Sequence, residues 1–218
     1  MIRLCIFDMD GTIVNSLHSI AWFANETLRR HGFSPFPDED YKQMVGNGAA
    51  KLMERLLERN GTTMDAHPAI LPEYVRSYND DPLYLAAPYD GVPEMLAALR
   101  LRGIRVAVLS NKPHPTTCAI ADALFGDAVD ACLGARDGVP LKPAPDGVFE
   151  LLAQFGVSPA ECLYIGDTGT DMKTAVRAGI FAVGVSWGFR SVEELEQNGA
   201  DVVIHTPMAL VDIADAKK

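Results

Sequence analysis

The 218-residue chain contains no apolar run approaching the ~20 residues that a membrane-spanning helix needs, and its first residues lack the pattern of a secretory signal, so no membrane partner is expected. It is short of basic residues: 19 Lys and Arg stand against 29 Asp and Glu, a net charge of −10. A nucleic-acid surface needs a basic stripe, so that class of partner is excluded. Cysteine is scarce as well, limited to Cys5, Cys118, Cys132 and Cys162, with no C-x-x-C pair. Reduced, buried thiols are the expected state, which points to the cytoplasm. Internal repeats and low-complexity tracts are missing. What remains is ordinary globular material, 48% hydrophobic and 22% charged, which excludes general disorder. The length admits one domain, or one domain carrying an insert.

Short apolar runs at 3–7, 104–109, 162–165, 181–185 and 201–204 are too short for helices. From residue 90 onward helical patterns alternate with them. Gly91-Val92-Pro93-Glu94 opens one such helix, Val92, Met95, Leu96 and Leu99 form its stripe, and Gly103 closes it. Strand and helix in alternation predict a doubly wound α/β core with a parallel sheet covered on both faces. Residues 15–85 break the rhythm. Leu17, Ile20, Ala21, Ala24 and Leu28 make a helical stripe, further helices are expected from Asp38, around Leu52–Leu57 and over 65–78, and no strand candidate intervenes. A βαβ crossover needs only about a dozen residues. The expected organisation is therefore a core from 1–14 and 86–218, with an inserted all-helical domain over 15–85.

Open parallel sheets bind ligands beyond the carboxyl ends of their strands. The first strand is followed by Asp8-Met9-Asp10-Gly11-Thr12, the second by Ser110-Asn111-Lys112, and a later one by Gly166-Asp167-Thr168-Gly169-Thr170-Asp171; Leu141-Lys142-Pro143 lies in a loop between. Clustered carboxylates repel unless a cation sits among them, and hard oxygen ligands suit Mg²⁺. A hydroxyl, backbone N–H groups and a lysine are the donors a phosphoryl group takes. One aspartate can accept the phosphoryl group covalently, and a second carboxyl two residues on can protonate the leaving oxygen.

These four motifs, in this order, resemble those of the haloacid dehalogenase superfamily over nearly the whole chain. The resemblance implies a Rossmann-like core of that type with a helical cap inserted after Val14. It implies Asp8 as nucleophile and Asp10 as general acid/base. Mg²⁺ is then held by Asp8, the backbone carbonyl of Asp10 and Asp167, with Asp171 helping directly or through water. Ser110, the Asn111 backbone and Lys142 are the implied phosphate ligands. Val45-Gly46-Asn47-Gly48-Ala49, Asn111-Lys112-Pro113 and the tail segment Gly184–Ser191 are similar to the branch that hydrolyses 2-phosphoglycolate, so a small phosphate ester is the expected partner, and Gly46, Asn47 and Gly48 the expected cap residues for substrate selection. Asn15 departs from the pattern, since many relatives carry an aspartate there. Inorganic pyrophosphatase, broad-specificity sugar-phosphate phosphatase and phosphomutase are the alternatives within the superfamily. Monomer and homodimer stay open.

Simpler readings compete at each position. Ser110 could cap the helix near Pro113, Lys142 could be solvated, and Asp171 could merely favour a helix start. His114 is expected to face solvent at a helix start, and Trp22 and Phe23 to pack the helical insert. A different enzyme class is also encoded nominally: Gly184-Val185-Ser186-Trp187-Gly188 matches the G-x-S-x-G elbow of serine hydrolases, with Asp201 and His205 following in order. An elbow serine should open a helix at once, whereas Gly188 and Phe189 read as a continuing loop.

Overall fold

The computed structural model describes residues 1–217 and divides into two compact units, one of residues 1–15 with 88–217 and one of 16–87. In the first unit, β1 (Leu4–Phe7) is completely buried, as a continuous apolar run must be when both faces of its sheet are covered. β2 (Val14–Asn15) and β3 (Ala87–Pro88) are two-residue strands where the chain leaves and re-enters this unit. Between them lie α1 (Leu17–Arg30), α2 (Asp38–Tyr41), α3 (Ala49–Arg59) and α4 (Ile70–Asp80) of the other unit. The alternation then runs α5 (Val92–Leu101), β4 (Arg105–Pro113), α6 (His114–Phe125), β5 (Ala131–Ala135), α7 (Asp146–Phe155), β6 (Cys162–Gly166), α8 (Gly169–Ala178), β7 (Phe181–Val185), α9 (Val192–Gln197), β8 (Val202–Ile204) and α10 (Ala209–Ala216).

The six long strands form one parallel sheet in the order β5-β4-β1-β6-β7-β8. Connections run outward from β1 through β4 to β5, then the chain returns to β6 on the other side of β1. The strand order therefore reverses beside β1, and Phe7 is level with both Val108 and Ile165. A crevice at such a reversal is where doubly wound sheets place their ligands. Leu4, Ile6, Leu133, Val148, Leu151, Tyr164 and Met172 belong to one continuous apolar core against the sheet.

The second unit is helical: α1 (Leu17–Arg30), α2 (Asp38–Tyr41), α3 (Ala49–Arg59) and α4 (Ile70–Asp80). The expected stripe on α1 is buried, as are Leu52, Met53, Leu56 and Leu57 on α3. α4 begins at Ile70, five residues later than the sequence predicts, and presents Ile70, Tyr74 and Tyr78 at spacings of four. Phe23 is buried against Tyr78, with ring centroids 5.2 Å apart, while Trp22 packs edge-on against Tyr84 and is 38% exposed. The Asn25 amide clamps the loop before α2, donating to Phe36 O and accepting from Phe36 N and the Tyr41 hydroxyl. No helix of the described residues is long and apolar enough to cross a membrane.

Candidate active site

The ladder continues one step past β1, where Asp8 N donates to Ile165 O at 2.8 Å and delivers the Asp8 side chain to the reversal point. Asp167 follows β6 directly, and Asp171 sits in the first turn of α8. One carboxylate oxygen from each of the three lies within 4.8 Å of the others, and all three residues are buried. Each is fixed by its own donors. Met9 N donates to Asp8 Oδ1 at 2.7 Å. Thr12 Oγ1 and Phe189 N donate to the two oxygens of Asp167 at 3.0 and 2.8 Å. Asp171 Oδ2 accepts from the Thr168 backbone and hydroxyl, while Oδ1 accepts from Lys142 Nζ at 2.8 Å and the Tyr164 hydroxyl at 3.3 Å. Asp171 thus both completes the capping box of α8, whose cap is Thr168, and belongs to the cluster. Gly11, at φ +85°, and Gly188 pass so close to Asp167 that a Cβ on either would overlap its side chain.

Lys142 is shared, its Nζ 2.8 Å from Asp8 Oδ1 as well as from Asp171, and it is buried rather than solvated. One ammonium among three carboxylates leaves an excess of buried negative charge. Burial, then the Asp171 charge, push the Asp8 carboxyl from its ordinary 3.8 up to about 7, against the opposing pull of Lys142. Burial and the charges of Asp8 and Asp171 likewise push Asp167 well up. Burial works against the Lys142 charge, yet Asp171 and Asp8 hold its pKa well above the usual lysine value. Three hard carboxylate donors with unneutralised charge fit a hard divalent cation.

Ser110 and Asn111 lie inside β4, which runs on to Pro113 through a register irregularity after Leu109. Ser110 is not a helix cap, because α6 starts at His114 with Pro113 in the cap position. Its hydroxyl oxygen instead accepts from Lys112 N at 3.1 Å. The Asn111 amide brackets Lys142, donating to its carbonyl at 3.0 Å and accepting from its N–H at 2.8 Å. Asp10 stands apart from the three-carboxylate cluster, with its Oδ2 3.2 Å from Lys112 Nζ. Sequence reasoning placed Lys112, Thr12 and Thr168 inside the motifs without giving any of them a role, and did not single out Tyr164. For Lys112 a signal existed: it lies two residues beyond Ser110, the spacing that returns a strand to the same face.

In the helical unit, Gly46, Asn47 and Gly48 form the turn into α3, with Gly48 in the cap position at φ +84°. Arg55 Nη2 donates to Asn47 Oδ1 at 2.8 Å, and its Nη1 donates to Met44 O. His114 does not face solvent as expected: it is partly buried and its Nδ1 accepts from Gly134 N at 3.2 Å. Ser186 Oγ lies 2.8 Å from His205 Nδ1, but Asp201 accepts from Ala182 N at 2.7 Å, and α9 opens only at Val192. A serine–histidine contact without an elbow or an orienting carboxylate is a surface hydrogen bond, and among the described residues the serine-hydrolase alternative finds no triad.

Residues 2–179 match the family model of the haloacid dehalogenase-like hydrolases. Phosphoglycolate phosphatase from Rhodospirillum rubrum is 34% identical, over 97% of this chain and 90% of that protein. The Caulobacter vibrioides phosphoglycolate phosphatase is also 34% identical, over 92% of this chain and 85% of that one. A Pseudomonas aeruginosa N-acetylmuramic acid 6-phosphate phosphatase is 28% identical over 98% of the chain and 95% of its own length. Among solved structures, a Lactobacillus delbrueckii subsp. bulgaricus protein provisionally assigned as a phosphoglycolate phosphatase superposes with a TM-score of 0.92 at 30% identity, covering 97% of this chain and 98% of its own.

Proposed function

Because the chain belongs to the haloacid dehalogenase-like hydrolases, we propose that it is a Mg²⁺-dependent phosphatase that converts 2-phosphoglycolate to glycolate and phosphate. The observation that carries this reading is the buried Asp8–Asp167–Asp171 cluster, with Lys142 paired to Asp8 and Asp171, and Asp10 paired separately to Lys112. Asp8, the backbone carbonyl of Asp10, Asp167 and Asp171 are the residues assigned to the cation. When bound, Mg²⁺ supplies positive charge against the carboxylates and the phosphoryl oxygens.

The chain's own residues supply the rest. An Asp8 oxygen attacks phosphorus, the bond from phosphorus to the ester oxygen breaks, and Asp10 gives its proton to that oxygen as glycolate leaves. Asp10, now a carboxylate, takes a proton from the water that attacks the aspartyl-phosphate, releasing phosphate and restoring Asp8. Ser110, the Asn111 backbone and Lys142 hold the phosphoryl oxygens, and the Asn111 side chain fixes the Lys142 backbone. The helical unit is assigned substrate selection through Gly46, Asn47 and Gly48. The names of the 34%-identical relatives support 2-phosphoglycolate, and that of the 28%-identical one keeps a sugar phosphate as the second reading.

Phosphate release from a panel of these esters, with Mg²⁺ and then with chelator, tests the proposal. The expected result is Mg²⁺-dependent turnover with the highest kcat/KM for 2-phosphoglycolate. Full activity in chelator, or activity on no ester, overturns it.

A further inference from the structure

Two lysines stand in the site, on different carboxylates. Lys142 serves Asp8 and Asp171. Lys112 Nζ is 3.2 Å from Asp10 Oδ2, and both side chains are largely withdrawn from solvent, at 9% and 19% exposure. The base of Lys112 is fixed: its N–H donates to Ser110 Oγ and its carbonyl accepts from Thr117 Oγ1, both at 3.1 Å. The catalytic scheme above, on which this inference rests, has Asp10 protonate the ester oxygen. That oxygen must come within about 2.6–3.2 Å of the Asp10 carboxyl. The Lys112 ammonium, bound to the same carboxyl, is then a neighbour of the departing alcohol, whereas Lys142 is a neighbour of the attacking oxygen.

We propose that Lys112 recognises a carboxylate carried by the leaving alcohol on the carbon next to the ester oxygen, which makes short phosphorylated 2-hydroxy acids the preferred substrate class. An ammonium has three N–H donors and can serve Asp10 and a substrate carboxylate together. In a largely desolvated site a charge-assisted contact of this kind is stronger than a neutral hydrogen bond. A hydroxyl in place of the carboxylate forfeits that charge, and a carboxylate further along the alcohol moves out of reach. Lys112 thereby reads the leaving group from within the α/β core.

Lys112→Met and Lys112→Arg test this with two esters of equal length, 2-phosphoglycolate and 2-hydroxyethyl phosphate, after thermal unfolding has shown that both variants fold. The wild type is expected to favour 2-phosphoglycolate in kcat/KM by at least tenfold. Lys112→Met should shrink that preference to within threefold, chiefly by raising KM for 2-phosphoglycolate, and should raise the inhibition constant of glycolate in parallel. Lys112→Arg should restore part of the preference. Equal losses on both esters would mean that Lys112 only positions Asp10, and an unchanged preference would mean that it reads nothing; either result overturns the proposal. A wild type that hydrolyses both esters equally overturns it while leaving the phosphatase reading standing. A wild type inactive on both overturns the two together.

Discussion

Replacing Lys142 by methionine, which is similar in length and apolar, removes the lysine shared by Asp8 and Asp171. Both of its ion pairs measure 2.8 Å and its side chain is 4% exposed, so solvent cannot take its place. Removing one partner of a buried pair costs about 3–5 kcal/mol. At roughly 2–4 °C per kcal/mol for a protein of this size, the metal-free variant should melt about 6–20 °C below the wild type. The deficit should also depend on pH. The folded-state pKa of Asp8, about 7, lies above its ordinary 3.8. The folded protein therefore holds a proton that the unfolded chain has released, and the stability this group confers at low pH is lost as pH rises from about 4 to 7. Lys142 is one of the causes holding the Asp8 value down. Without it the value climbs, and the window of falling stability extends above pH 7 at up to about 1.4 kcal/mol per pH unit. Thermal unfolding in chelator at pH 6 and pH 8 reads both effects. The melting deficit should widen from pH 6 to pH 8. A variant within 2 °C of the wild type at both values, or a deficit larger at pH 6, would refute the reasoning.

How far the site could be read before the structure depended on what each residue type is required to do. Asp8 and Asp167 were visible because each directly follows a run that must stop being a strand, where a charged residue has few structural duties; Asp171, in the first turn of α8, was visible only through its spacing from Asp167 in the Gly166–Asp171 motif. β1, β6 and β7 were legible for the same reason: unbroken apolar runs of about five residues admit only a buried strand. β5 was not. Its Ala-Cys-Leu-Gly-Ala carries little apolar mass, and it forms because α6 covers it and β4 pairs with it, a tertiary cause that leaves no local pattern. Lys112 was visible only as part of a motif and without a role, because a lysine after a strand is ordinarily solvated and its distance to Asp10 has no local signature. The donors that fix the carboxylates are long-range: Thr12 and Phe189 reach Asp167 from 155 and 22 residues away. Periodicity cannot report such pairings.

Asp8→Asn should abolish turnover while the metal-free protein melts at or above the wild-type temperature, since an amide cannot attack phosphorus and carries none of the charge that burial penalises; Ser186→Ala should keep turnover. Asp167→Asn should raise the Mg²⁺ concentration needed for half-maximal rate at least tenfold, and Ca²⁺, which prefers more ligands at longer distances, should inhibit the wild type. Apparent Mg²⁺ affinity, followed by titration calorimetry, should fall as pH drops below about 7, because Asp8 must lose its proton to act as a ligand; affinity flat between pH 5.5 and 8 would contradict this. Asn47→Ala should lower kcat/KM for 2-phosphoglycolate at least tenfold more than for p-nitrophenyl phosphate, whose activated leaving group needs less help. The substitution also strips Arg55 of an acceptor at 2.8 Å, so stability falls for a reason unrelated to substrate. Arg55→Met separates the two causes, because it breaks the same hydrogen bond and leaves the Asn47 amide in place. If the turn selects substrate, both variants lose melting temperature and only Asn47→Ala changes the ratio between the two substrates. If Arg55→Met shifts that ratio as strongly, the amide matters only by holding the turn into α3, and selection belongs to groups such as Lys112 in the core.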